Sequence, residues 1–282
     1  MTSERSVTEW AAVLARRDPQ RRAQRQAARE AKAAARAAAE VKPEPFVDPP
    51  NPNEVQISCH LRPVTERDIE AITAIYNQEI ADGYKVMDTV PVSSGNFHRI
   101  YSQCLDQKMP FVAAIGGWHC AADESYPNVM GFGLVTAVDR GISGSYETLS
   151  KPGGRLLVIV KPEYRRKKIG TALIDIILSS CSTRYLPKGG YQFVNITQDR
   201  TLMRYESNSR KWFYLEMEVM ILSVENENKT RQLEEFQWIW NFLEAKFCLL
   251  LKHYDDRCFF EPLQKRWLDK LTFRHTCRAL GY

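Results

Sequence analysis

From residue 55 onward, short apolar runs rich in β-branched residues alternate with stretches whose apolar positions recur every three or four residues. Residues 56–62 read as a first strand. Thr65 and Asp68, three apart, form a capping box, and Ile69, Ile72, Tyr76 and Ile80 follow at helical spacing. A second helix is expected over residues 94–107. PFVAAI (110–115) and VMGFGLVTAV (129–138) are strand-like, with Gly131 and Gly133 suggesting a bend or bulge. The Gly- and Ser-rich stretch 139–154 reads as a loop. LLVIV (156–160) is unbroken and apolar, the composition of a strand buried on both faces. A Leu/Ile-rich helix should begin after Lys168, and residues 191–196 give the next strand.

The first 54 residues break this pattern. Residues 10–42 are rich in Ala, Arg and Gln, which favour helix but carry no repeating apolar stripe. KPEPFVDPPNPN follows, a stiff linker. The expected division is a basic tail (1–42), a Pro-rich linker (43–54) and one folded domain (55–282).

Composition sharpens this picture. The chain has 282 residues, 44% hydrophobic and 26% charged, which excludes wholesale disorder and fibrous repeats. Its net charge of +5 belongs to the tail, where ten Lys/Arg face five Asp/Glu. The body is balanced, so its surface does not call for a polyanionic partner. Three readings of the tail stand side by side: a solvated appendage, a basic arm for nucleic acid or ribosomes, and an organelle-addressing segment. Glu4, Glu9 and Asp18 weigh against the last. Seven cysteines, odd in number and without a CxxC pair, indicate a reduced compartment. The start lacks an apolar signal core, and Glu244 and Lys246 interrupt the most apolar helical stretch, which falls short of the roughly 20 residues a bilayer needs. A cytoplasmic protein without a membrane partner is expected; nuclear and mitochondrial addresses remain compatible with the tail. The five histidines show no ligand spacing, so no metal is expected. Trp118-His119-Cys120 is assigned to a loop. The aromatic band from Phe236 to Leu243 reads as a buried or homodimer-forming helix.

Chemistry concentrates in LLVIVKPEYRRKKIGTALIDIILSS (156–180). A buried strand is stopped by Pro162, a basic turn follows, and Gly170, Thr171 and Ala172 open a helix. The first-turn amides of a helix have no intrahelical partner and together act as a partial positive charge. A glycine lets a phosphate approach them closely. Arg165, Arg166, Lys167 and Lys168 ring the mouth. Neither GxxxxGK[ST] nor GxGxxG is present, so the cradle is neither a P-loop nor a dinucleotide fingerprint.

VKPEYRRKKIGTAL resembles motif A of the GNAT superfamily of acetyl-CoA-dependent N-acetyltransferases. AIYNQEIADG with DTVPVS (74–83, 88–93) and KRWLDKLTF (265–273) is similar to the phosphinothricin-acetyltransferase-like branch. The resemblance implies an α+β fold: a mixed, mostly antiparallel central sheet flanked by helices, preceded here by the basic helical tail. It implies acetyl-CoA as cosubstrate and a small-molecule amine as partner. It places the diphosphate on Lys167, Lys168, Ile169, Gly170, Thr171 and Ala172, with Lys168 where glycine is common. Backbone groups around Val158 and Val160 would meet the acyl carbonyl and the pantetheine arm. The family's acid on the motif-A strand falls on Arg155, leaving Glu147 as candidate base. NSRKWFYLE (208–216) is similar to the family's late helix, which makes Tyr214 and Tyr205 candidate proton donors to the departing thiolate. The long connection 217–252 implies an inserted helix.

The first reading is acetyl transfer to a primary amine of a small amino-acid-like molecule. A peptide or protein lysine acetyltransferase, and a non-catalytic CoA-binding or adapter protein with a basic tail, are the alternatives.

Overall fold

Thr65 donates its amide and its hydroxyl to Asp68 Oδ2 at 2.7 and 2.9 Å, closing the capping box that the spacing predicts. The same carboxylate receives both terminal nitrogens of Arg62 at 2.7 and 2.9 Å, so this buried acid is fully satisfied. The computed structural model describes residues 19–39, 50–82, 85–117, 128–138, 153–203, 210–223, 229–262 and 265–278.

The chain divides into two units, one ending at Pro50 and one beginning at Asn51. In the first, α1 (Pro19–Ala39) exposes its side chains over residues 23–34. The second contains β1 (Cys59–Pro63), α2 (Ile69–Asp82), α3 (Ser94–Asp106), β2 (Phe111–Gly116), β3 (Val129–Ala137), β4 (Gly153–Val160), α4 (Ile169–Cys181) and β5 (Gln192–Phe193). It continues with β6 (Tyr214–Leu222), α5 (Lys229–Trp240), a π-helical turn (Asn241–Ala245), β7 (Leu250–Glu261) and β8 (Arg266–Thr276).

Among the described residues these strands form one eight-stranded sheet in the order β5-β1-β2-β3-β4-β6-β8-β7. Only β1/β5 and β4/β6 are parallel, so the fold is α+β with a mixed, mostly antiparallel sheet, as expected. Helices cover both faces. On one, Phe97 of α3 meets Phe132 of β3 edge-on at 6.0 Å. On the other, a Cβ added to Gly133 would lie 2.8 Å from Ile177 of α4 and 3.2 Å from Val158, so glycine sets how closely that helix approaches. The expected bulge falls at Met130, beside Gly131: Ala114 pairs with Gly131 and Ile115 with Val129. Among the described residues no helix is long and apolar enough to cross a membrane.

Two expectations need correction. The strand expected at 191–196 shrinks to Gln192–Phe193 and pairs with β1 at the far edge, so it does not continue the sheet beside β4. Of the stretch 208–216 expected to be helical, the described residues 210–216 form no helix: Tyr214 opens β6. Period explains the second. In YLEMEVMIL, Leu215, Met217, Val219 and Ile221 alternate with Glu216, Glu218 and Met220, a repeat of two that fits a strand.

Candidate active site

The register of β4 decides where its backbone groups point. Lys161 N–H donates to Met130 O at 2.9 Å and Val138 N–H to Gly153 O at 3.2 Å, at the two ends of the β3/β4 ladder. Hydrogen-bonded pairs alternate in an antiparallel ladder, so residues 153, 155, 157 and 159 spend their amides and carbonyls on β3. Those of Leu156, Val158 and Val160 point the other way, toward β6.

For Val158 and Val160, β6 is not there to receive them. Its parallel pairing with β4 covers Gly153↔Tyr214, Gly154↔Leu215 and Arg155↔Glu216 and goes no further, while β6 stays paired to β8 as far as Leu222. The two strands therefore part like a V beyond Arg155. The Val160 carbonyl in the gap accepts from Arg165 Nε at 3.1 Å. The same guanidinium bonds the buried Glu79 of α2, which fixes the turn after β4 to the opposite helical layer.

At the open end of the V, the turn feeds α4. Arg166 (φ 62°) and Lys168 (φ 65°) are left-handed, a conformation that costs a side-chain-bearing residue about 1–2 kcal/mol. This gives the resemblance a physical basis, since Lys168 occupies the position where glycine is common. Its ammonium is tethered to Pro52 O, and Gln56 N–H holds Lys167 O at 3.1 Å. The side chains of Ile169, Thr171 and Ala172 are buried against the core. Their backbone edge behaves differently. Ala172 N–H bonds Lys168 O at 3.0 Å, but the amides of Ile169, Gly170 and Thr171 have no acceptor among the described residues. Three unbonded amides at a helix N-terminus, with exposed Arg166 and Lys167 beside them, make an anion cradle.

Opposite α4, a cleft of about 420 Å³ opens against the V. Its apolar walls include Phe97, Ile100, Leu134, Leu157 and Met220, and its polar groups include Tyr76, Asp88, Arg155 and Glu218. The Tyr76 hydroxyl donates to Asp88; burial, with that carboxylate close by, pushes the phenol well above its ordinary pKa and keeps it protonated. Arg155 Nε lies 3.5 Å from Glu218 Oε2.

The structure thus brings Val158, Val160, Lys167, Lys168, Ile169, Gly170, Thr171 and Ala172 into one continuous gap and cradle. Tyr214 is elsewhere. Its ring lies against Gly153 at the closed end of the V, with the Arg274 guanidinium 4.2 Å from the ring centroid. Five strand residues, about 16 Å, separate Gly153 from Val158. Glu147 and Tyr205 lie outside the described residues. Sequence reasoning missed Glu218 and Asp88, the acids that line the cleft. The alternation in β6 would have put Glu218 on one sheet face, but only the β4/β6 register brings it to Arg155.

No protein-family model and no curated protein sequence matches the chain. Solved structures do. The protein yncA from Salmonella typhimurium, assigned as an acetyltransferase and solved with its cofactor acetyl-CoA, superposes with a TM-score of 0.53 at 12% identity, over 80% of this chain and 97% of that one. A protein from Acinetobacter baylyi ADP1, likewise assigned as an acetyltransferase, gives 0.52 at 13% identity, over 79% of this chain and 95% of that one. The fold is that of the acetyltransferases which the motif at 156–180 resembles.

Proposed function

We propose that the chain transfers the acetyl group of acetyl-CoA to the primary amine of a small amino-acid-like molecule. The carrying observation is the continuity between the V-shaped gap, with the backbone groups of Val158 and Val160 turned into it, and the three unbonded amides of Ile169, Gly170 and Thr171. That path has an anion cradle at one end and a substrate-sized cleft at the other. The cradle would hold the diphosphate, with Arg166 and Lys167 adding charge. The gap would take the pantetheine arm in place of a strand, and the Val158 amide would donate to the thioester carbonyl oxygen as charge develops there. Acetyl-CoA supplies an acyl carbon activated by its thioester. The chain contributes position, since holding amine and acyl carbon together supplies up to roughly 7–11 kcal/mol of the barrier. Tyr205 remains the proposed donor to the departing thiolate.

Acetyl-CoA at a hundred times its Kd is expected to stabilise the fold by about 2.7 kcal/mol, a rise in Tm of roughly 5–10 °C. No shift at saturating concentration removes this reading. Thiol release with a panel of amines separates an enzyme from a CoA-binding protein without turnover. Arg155, standing where the family's acid is expected, is the feature that favours the latter. Removing residues 1–45 is expected to leave acetyl-CoA affinity unchanged by calorimetry, because every group assigned above lies beyond Asn51; a large loss would make the tail part of the site.

A further inference from the structure

Arg155 and Glu218 sit where the cleft meets the V. Arg155 belongs to the last pair that joins β4 to β6, opposite Glu216. Glu216 is already engaged, accepting from Arg274 Nε at 2.9 Å. Glu218 lies two residues further along β6, about 7 Å into the splayed part, and lines the cleft together with Arg155 and Leu157. Its carboxylate lies 3.5 Å from Arg155 Nε, and the Lys270 ammonium of β8 adds positive charge near it. The two terminal nitrogens of Arg155 have no partner among the described residues, and its side chain is 46% exposed to the cleft, against 19% for Glu218. A guanidinium with its fork unused is built to take a planar anion on two parallel hydrogen bonds. A carboxylate held beside it on the cleft wall is placed to take a proton.

We propose that this pair reads the acceptor: the terminal nitrogens of Arg155 bind a carboxylate on the substrate, and Glu218 takes the proton from its ammonium. The assignment rests on the acetyl-transfer reading and narrows its substrate to amines that carry a carboxylate. An α-amino acid bears both groups on one carbon, and the two partners are 3.5 Å apart, so one such molecule spans both. The apolar wall of Phe97, Ile100, Leu134 and Met220 then faces its side chain. In the reaction, one ammonium proton passes to Glu218 and the freed nitrogen attacks the acyl carbon. A C–N bond forms, the C–S bond breaks, and the electron pair leaves with sulfur. The second nitrogen-bound proton ends on the thiolate. Glu218 returns its proton to solvent, and the products are the N-acetyl amino acid and free CoA. Arg155 is a binding residue and Glu218 the base. The acid that the family carries on β4 is thereby supplied from the neighbouring strand.

The test uses two matched pairs, leucine with 3-methylbutylamine and phenylalanine with 2-phenylethylamine, each differing only in the carboxylate. In the full-length protein, kcat/KM is expected to favour the amino acid, and Arg155→Gln to reduce that preference about 10- to 100-fold, mainly through KM. Glu218→Gln is expected to lower kcat on the amino acids about 100-fold or more, with acetyl-CoA affinity and melting temperature unchanged. Binding gives a readout independent of turnover. With CoA present, N-acetylphenylalanine should bind at least about tenfold more tightly than N-acetyl-2-phenylethylamine, and the two should bind alike in Arg155→Gln. A preference that survives Arg155→Gln, or no preference in the native protein, overturns the carboxylate assignment. Undiminished kcat in Glu218→Gln overturns the base and returns the role to Glu147. Failure of acetyl-CoA to bind is a separate result: it removes the acetyl-transfer reading, while the carboxylate comparison, repeated without CoA, still decides Arg155.

Discussion

Gly170→Asp is expected to leave the fold at least as stable as the native chain and to weaken acetyl-CoA binding 100-fold or more. The two effects have opposite signs for one reason. Gly170 stands in the first turn of α4, and a Cβ there would touch only Val160 Cγ2, at an ordinary 3.7 Å. Nothing in the packing resists the substitution. A helix gains about 1 kcal/mol when an interior glycine is replaced by a better helix former, and a carboxylate beside an N-terminus interacts favourably with its free amides. The amides of Ile169, Gly170 and Thr171 that would hold the diphosphate then face a resident anion instead. Calorimetry with acetyl-CoA, paired with a melting curve, separates the two outcomes. Gly170→Ala, which adds bulk without charge, should lose no more than about tenfold in affinity by the same electrostatic argument. Loss of folding in Gly170→Asp would show that the local packing has been misjudged. Native affinity in a folded Gly170→Asp would show that no anion sits there.

Asp175→Ala should be the most destabilising single change near the site, at about 3–5 kcal/mol, or roughly 10 °C in Tm. Asp175 is buried in the middle of α4 and accepts from the hydroxyls of Tyr185 and Tyr191 and from the amides of Lys188 and Gly189. Burial, reinforced by that carboxylate, holds both phenols above their ordinary pKa, so they stay protonated donors. Removing the acceptor strands one buried donor, the Tyr185 hydroxyl, and three half-buried ones at once, at about 1–3 kcal/mol for each buried group left unsatisfied. The damage should reach the cradle through a short path. Gly190 O accepts from Val55 N–H and Lys188 O from Asn51, and the segment they hold supplies the Gln56 amide that fixes Lys167 O. Acetyl-CoA affinity is therefore expected to fall together with stability. Asp175→Asn keeps an acceptor oxygen and should cost about half as much. Denaturant unfolding of both variants gives the comparison, and a loss below about 1 kcal/mol in Asp175→Ala would contradict the role given to this acid.

The parts of the site that lie within one stretch of chain were legible in the sequence. The run 156–160, the stop at Pro162 and the helix start at Gly170 each follow from local composition, and their order alone implies a strand feeding an anion-binding helix terminus. The direction of the Val158 and Val160 amides was also accessible in part, because alternate residues of a strand bond to opposite neighbours. Two things were not legible. The separation of β4 from β6 depends on pairing between segments about sixty residues apart, and no local pattern records where such a pairing ends. The position of Glu218 depends on the same register, so no local pattern marks it as the acid beside Arg155, and the spacing along the chain points to Glu147 instead. Tyr214 shows a different failure. A family spacing suggested a helix, whereas the period of two in residues 214–222 already indicated a strand.

The central claim is that the backbone edge of the α4 start and the open side of β4 hold one extended phosphate-bearing ligand. Amide chemical shifts during titration with acetyl-CoA test it most directly. The account predicts that the amides of Ile169, Gly170, Thr171 and Val158 move together, with one midpoint, while those of β7 and β8 stay in place. Saturable binding that leaves these four amides unshifted would contradict it.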